Sequence, residues 1–304
     1  LKDKCRNILV LGECHAAVFN GLLLYNMPYC RADKLSEDVL SGVDAVIVTS
    51  PDAYGATKDI ETIRKLIGQR LLLVDEAHGA HYAFCSLLPV SAVKYADITV
   101  NSMHKTMPVY TGGALLHSNN AELDSAIITY RRMAHSTSPS YLVMATMDYA
   151  RALFLENGEL MYKEVLEAIE KLELPIGYTR ILNDDFSRLV LSTGNRGKEV
   201  YQKLSEAGIY LEMYDNDRVV FIVTPFNREL LGKVEEVLKR DIIVKASNNN
   251  KDKYLYLEGK IAKEDIGLYP PCVPVILKGE VITRKKIEYV IENIERAYGL
   301  RDEN

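Results

Sequence analysis

Several absences narrow the possibilities for this 304-residue chain before any motif does. No apolar stretch approaches the roughly 18 to 20 residues that a spanning helix needs, and no charged segment followed by a long apolar one opens the chain. The expectation is therefore a cytoplasmic protein with no membrane partner. The five cysteines, Cys5, Cys14, Cys30, Cys85 and Cys272, form no Cys-x-x-Cys pair and have no metal-ligand spacing. An odd, scattered set reads as reduced thiols rather than a disulfide framework, and no metal is expected. There is no excess of positive charge: the formal net charge of -5 leaves no electrostatic footprint for nucleic acid and is compatible with cationic substrates. Internal repeats are absent, as is any low-complexity tract beyond the three asparagines from Asn248.

What is present is ordinary in amount and unusual in arrangement. Hydrophobic residues at 48% and charged residues at 26% describe a globular chain long enough for one large domain and a smaller one. Apolar runs at Ile8–Leu11, Ala45–Val48, Leu71–Val74 and Ile98–Val100 alternate with helix-compatible segments such as Thr57–Leu66, the pattern of a doubly wound parallel sheet. Strands covered on both faces read as such continuous apolar runs. Two of them stop abruptly at titratable residues: Leu71-Leu72-Leu73-Val74 at Asp75-Glu76-Ala77-His78-Gly79-Ala80-His81, and Ile98-Thr99-Val100 at Asn101-Ser102-Met103-His104-Lys105-Thr106. Parallel sheets bind ligands at the carboxyl ends of their strands. A carboxylate at one such end and an amine at a neighbouring one suit an aromatic aldehyde cofactor held by a Schiff base and a pyridinium contact.

The second half has a different pattern. From Ser140 an amphipathic helix runs through Met144, Met147, Ala150, Leu153 and Phe154, with Asn157-Gly158 as its break and a second helix from Glu159. This places a domain boundary between residues 158 and 159. Beyond it, Ser187–Ser192 and Arg218–Val223 read as strands and Gly197–Ala207 and Arg228–Leu238 as helices, the makings of an α+β domain. Lys245–Lys253 reads as an exposed loop and Arg284–Gly299 as a closing helix.

The strings Asp75-Glu76-Ala77-His78-Gly79-Ala80-His81 and Ser102-Met103-His104-Lys105-Thr106 resemble, as a pair at this spacing, the cofactor motifs of the ornithine/lysine/arginine decarboxylase family. That family comprises pyridoxal-phosphate enzymes of the aspartate-aminotransferase fold type. Asn7-Ile8-Leu9-Val10 with Cys14-His15, Pro51-Asp52-Ala53-Tyr54-Gly55, Thr137-Ser138-Pro139-Ser140-Tyr141 and Tyr269-Pro270-Pro271-Cys272-Val273-Pro274 followed by Gly279-Glu280 are similar to further family segments in the same order. The resemblance implies a large domain with a mostly parallel sheet over residues 1–158 and a smaller α+β domain over 159–304. It further implies pyridoxal 5'-phosphate as cofactor, a homodimer with its active site at the subunit interface, and decarboxylation of arginine, lysine or ornithine to an amine of the polyamine type. Relative to the family, no Gly-Ser-Thr phosphate turn precedes Asn7 and the chain opens on Leu1, so the expectation is an N-terminally truncated sequence.

Residue by residue, the resemblance makes Lys105 the Schiff-base lysine and Asp75 the partner of the pyridine nitrogen. The alternative for Asp75 is a plain helix N-cap. His15 stacks on the ring, although Glu13 stands where Asn is common and Ala16-Ala17 where Lys-Ser is. Ala77 and His78 belong to the cofactor set, His78 near the phenolic oxygen or the substrate carboxylate, while His81 is open between a supporting and a purely structural role. Ser102 and His104 alternate along an extended segment and so face the cofactor phosphate together; His104 or Lys105 protonates Cα. Thr137 and Ser138 reach the neighbouring subunit's cofactor phosphate from a helix start. Glu280 meets the distal cation of the substrate, and Cys272 replaces a turn glycine, requiring a backbone that tolerates a side chain there. Two other readings stand beside this one: another reaction on the same fold, transamination or a lyase step, and a non-catalytic degenerate member.

Overall fold

The computed structural model describes residues 5–240 and 254–300; the predicted Lys245–Lys253 loop lies outside the described residues. The chain runs β1 (Ile8–Leu11), α1 (Ala16–Leu24), β2 (Tyr29–Ala32), α2 (Glu37–Leu40), β3 (Ala45–Thr49), α3 (Ile60–Ile67), β4 (Leu71–Asp75), β5 (Ile98–Asn101), α4 (Met103–Thr106), β6 (Leu115–Ser118), α5 (Ala121–Ala134) and α6 (Tyr141–Glu170). These strands make one sheet in the order β2-β1-β3-β4-β5-β6, parallel except for the antiparallel β5–β6 pair. All four expected strands are present, and the sheet gains β2 and β6. The predicted helix starting at Thr57 begins instead at Ile60, where the Asp59 carboxylate accepts from Thr62 N at 2.9 Å and Ile60, Ile63 and Ile67 form the buried stripe.

One sheet face is sealed by that stripe, which packs on Val46, Val48, Leu72 and Val74. The other face departs from the expectation of strands covered on both sides. Phe19 and Leu22 of α1 cover part of it, but Leu73, Ile98 and Val100 line an open cavity. Asp75 and Lys105 lie at the carboxyl ends of β4 and β5, in that cavity.

Helix α6 runs unbroken from Tyr141 to Glu170, so Asn157-Gly158 is not a helix break. Its buried residues Ala150, Phe154, Gly158, Tyr162, Val165 and Ile169 recur every three or four positions. A Cβ at Gly158 would stand 2.6 Å from the Phe84 carbonyl oxygen. The glycine therefore permits close helix-to-loop packing instead of ending the helix.

After α6 come β7 (Thr179–Ile181), β8 (Arg188–Ser192), α7 (Gly197–Glu206), β9 (Met213–Tyr214), β10 (Arg218–Ile222) and α8 (Leu230–Lys239). The antiparallel sheet β7-β8-β10-β9 packs Leu189, Leu191, Val219 and Phe221 against Val200, Leu204, Leu231 and Val234 of the two helices. The chain closes with β11 (Ile266–Leu268), β12 (Val273–Ile276), α9 (Arg284–Glu292) and β13 (Ala297–Tyr298), the strands ordered β12-β11-β13. The predicted helix over Arg284–Gly299 stops at Glu292: the chain passes through a short 3-10 turn and pairs Ala297 and Tyr298 with β11.

Candidate active site

The cavity of about 1290 Å³ is bounded by the ends of β3, β4 and β5, the start of α1 and the 271–275 segment. Asp75, Ala77, His78, Ser102, Lys105 and His15, drawn from three separate stretches of sequence, all line it. Two strand ends and their turns have to be held in register for this. Glu76, 2% exposed, does so: Oε1 accepts from Ala92 N at 2.6 Å, and Oε2 accepts from Ser91 Oγ at 2.7 Å and Asn101 Nδ2 at 2.9 Å. Asn101 also donates to the Glu76 carbonyl at 3.0 Å, tying the end of β5 to the end of β4. Burial pushes the Glu76 carboxyl up despite the three donors.

Lys105 stands on the four-residue helix α4, its Nζ 3.2 Å from His78 Nε2. Burial lowers the amine from its ordinary range, against the opposing pull of Asp75 and Glu212. Desolvation, the Arg188 guanidinium and the Lys105 amine push the His78 imidazole well below its usual range. His78 Nδ1 accepts from Nη2 of Arg188. The Asp75 Oδ1 accepts from Ala77 N at 3.1 Å, so the capping reading and the site reading hold together: one oxygen closes the turn and the residue lines the cavity. His15 caps α1, its Nδ1 accepting from Ala17 N at 3.1 Å, and burial and then Lys105 lower its imidazole.

Other expected residues fall elsewhere. Ser102 and His104 do not share one side of an extended segment, because the chain coils into α4 immediately after Ser102. Ser102 lines the cavity and makes no side-chain cap, whereas His104 is outside the lining and donates from Nδ1 to the Gly113 carbonyl at 3.0 Å. His81 is fully buried and outside the cavity lining: it stacks on Tyr162, and its Nε2 lies 3.1 Å from Ser187 Oγ and 3.4 Å from Asp185. Thr137 and Ser138 are exposed and do not line the cavity of their own chain. Glu280 also lies outside the lining and is held by two cations, Arg31 Nη1 at 3.1 Å and Lys286 Nζ at 2.6 Å. Cys272 adopts φ 62°, the left-handed backbone that its glycine-like position requires.

Sequence reasoning missed Arg188. It is 1% exposed and enters from the second sheet to reach His78. Its signal was there to read: a lone cation opening the apolar run Leu189-Val190-Leu191. Gly55, at φ 86°, gives it room, since a Cβ at that position would meet the Arg188 Cβ at 2.7 Å. Neighbouring Tyr54 lines the cavity, donates to Asp215 at 2.8 Å and lies 3.9 Å beneath the Arg218 guanidinium.

A cavity at the carboxyl ends of parallel strands, with a lysine amine, an aspartate and two histidines converging in it, has the donor set for a pyridoxal phosphate ring: Lys105 for the aldehyde, Asp75 for the pyridine nitrogen and the unused Ser102 hydroxyl for an oxyanion. Among the described residues no group of three or more His, Cys, Asp or Glu is placed to hold a metal ion, and no helix is long and apolar enough to cross a membrane. The fold is that of the type I pyridoxal-phosphate enzymes. It aligns with a Francisella novicida lysine decarboxylase at TM-score 0.73 and 13% identity, over 95% of this chain and 62% of that one. Residues 31–181 match the model of the Orn/Lys/Arg decarboxylase major domain, and the chain belongs to that family. An uncharacterised Bacillus subtilis protein, YaaO, is 28% identical over 92% of this chain and 72% of its own length. The arginine decarboxylase of the same organism is 26% identical over 82% of this chain, which spans 61% of that enzyme's length.

Proposed function

We propose that this chain carries the catalytic centre of a pyridoxal-phosphate-dependent decarboxylase acting on arginine, lysine or ornithine. The observation that carries the reading is the partly desolvated Lys105 amine, 3.2 Å from a buried imidazole and in the same cavity as Asp75. Bound there, the cofactor supplies an aldehyde that captures amines and a protonated ring that accepts electrons released at Cα.

The chain's own groups do the rest. Lys105 Nζ attacks as a free amine, which its desolvation favours, and later returns a proton to Cα from the same position. Asp75 holds the proton on the pyridine nitrogen, keeping the ring cationic. His15 and Ala77 would hold the ring, His78 orients Lys105, and the Ser102 hydroxyl would donate to the phosphate. Proton return rests on Lys105 rather than His104, whose Nδ1 is committed to Gly113. In this reading residues 1–158 form the cofactor-binding domain and 159–304 the domain that supplies Arg188. The active form is a cytoplasmic homodimer, with Thr137 and Ser138 facing the partner's cofactor phosphate.

The test is borohydride reduction of the protein loaded with pyridoxal phosphate, mass spectrometry of the adduct, and carbon dioxide release from the three amino acids. An adduct on Lys105 with release abolished in Lys105→Ala is the expected result. Keto-acid formation without carbon dioxide would assign transamination, and no adduct in any form of the protein would assign a non-catalytic role.

A further inference from the structure

Arg188, His78 and Lys105 form a line of hydrogen-bonding groups from the second sheet into the cavity, and the chemistry of its far end dictates the direction of the whole. A guanidinium carries donors and no acceptor. Nδ1 of His78, which meets Arg188 Nη2, is therefore the acceptor and bears no proton. The single proton of a neutral imidazole then sits on Nε2. That nitrogen faces Lys105 Nζ at 3.2 Å as a donor, and the contact is a hydrogen bond only if the amine nitrogen offers its lone pair. The opposite order, with an ammonium donating to Nε2, would leave two donors pointed at an imidazole that already carries a proton.

We infer that Arg188 is a positioning residue which, acting through His78, fixes the direction of the hydrogen bond to Lys105 so that the lysine is held as the lone-pair donor a carbonyl requires. This rests on the reading of Lys105 as the aldehyde-capturing amine. Arg188 suits the task because it is enclosed: it is buried at 1% exposure and its Cβ is packed at Gly55, while its Nε and Nη1 have no hydrogen-bond partner among the described residues to draw the guanidinium elsewhere. Its charge bears on both His78 and Lys105, and the buried Asp185 carboxylate opposes part of it. The groups that oppose it around the amine are Asp75 from β4 and Glu212 from the loop before β9, while the His15 and His78 imidazoles, both lowered, stand beside it as neutral rings. Among the described residues neither carboxylate makes a hydrogen bond or ion pair with Lys105, whereas His78 is in contact with it.

The experiment reads the tautomer directly and needs no cofactor. Long-range proton–nitrogen correlation spectra of the full chain, with His78 assigned by loss of its signals in His78→Gln, report which ring nitrogen carries the proton. The proposal expects the Nε2–H form in the wild-type protein, and an Nδ1–H His78 overturns it whatever the protein's activity. In parallel, the pH dependence of Lys105 modification by an amine-acylating reagent is compared among wild type, Arg188→Met and Arg188→Lys. Arg188→Met is expected to move the profile to higher pH, lowering reactivity at fixed neutral pH about tenfold, with Arg188→Lys recovering part of it. An unmoved profile in a folded Arg188→Met protein overturns the inference and leaves Arg188 a packing residue. Should Arg188→Met fail to fold, the wild-type tautomer decides alone. Loss of borohydride adducts with the Nε2–H tautomer intact would refute the proposed cofactor role and not this one.

Discussion

Replacing Glu76 by alanine is expected to destabilise the protein by about 3 kcal/mol and to loosen the spacing between Asp75 and Lys105. The magnitude follows from what the truncation leaves behind. Glu76 is the acceptor for the buried Ala92 N–H and for one Asn101 N–H, and a buried donor left unsatisfied costs about 1–3 kcal/mol. The Ser91 hydroxyl, only partly buried, can turn to water. Two orphaned donors give about 2–6 kcal/mol, and relief of the buried carboxyl offsets part of it. Glu76→Gln separates the contributions: its amide oxygen can still serve Ala92, while its NH₂ faces the Asn101 donor. The pH dependence has a definite sign. Burial raises the Glu76 carboxyl above its unfolded value, so the folded protein binds the proton more tightly. The wild-type advantage over Glu76→Gln is then full below the ordinary glutamate range and declines as pH rises through the folded value. Urea unfolding across a pH series measures both effects. A Glu76→Ala midpoint equal to wild type, or a gap to Glu76→Gln that widens with rising pH, would refute the reasoning.

Gly158→Ala gains about 1 kcal/mol of helix propensity but drives a methyl into the Phe84 carbonyl, an overpacking of about 1–3 kcal/mol, so a lower thermal midpoint is expected; a higher one would mean the close approach is not limiting. Glu280→Gln should change stability by less than about 1 kcal/mol and leave KM for basic amino acids nearly unchanged, because the carboxylate is already paired with Arg31 and Lys286. A loss of about 2 kcal/mol or more in substrate binding would restore Glu280 as the distal-cation partner. Cys272→Gly relieves a left-handed residue worth about 1–2 kcal/mol and adds about 0.4–1 kcal/mol of unfolded-chain entropy, so a net gain of roughly 0.5 kcal/mol is expected, and a lowered urea midpoint would contradict it.

The strand-end half of the candidate site was legible because its residues follow consecutive strands of one sheet. Asp75, His78 and Lys105 each follow an apolar run, and a parallel sheet places all such ends on one edge. The requirement at Cys272 was legible for a similar reason, since a tight turn states its backbone need locally. Short-range pattern was ambiguous wherever one signal serves two causes: Asn157-Gly158 has the composition of a break, and only the Phe84 carbonyl on its far side distinguishes a break from a contact. Strands β2 and β6 are no shorter than β1, but they lie at the two edges of the sheet, are largely exposed, and lack the continuous buried apolar run that marks β1.

What sequence could not supply was partnership across distance. Glu280 is a substrate-facing acid or a neutralised one according to a residue 249 positions away, Arg31. Arg188 is 110 positions from the imidazole whose donor it supplies. A charged residue inside an apolar strand is nevertheless a usable clue, because burying a cation is costly unless something uses it. The position that breaks the local rule, Arg188 at the head of Leu189-Val190-Leu191, is the one that reaches the site from the second sheet. Local violations of hydrophobic pattern are therefore the places to look for the groups that motifs omit.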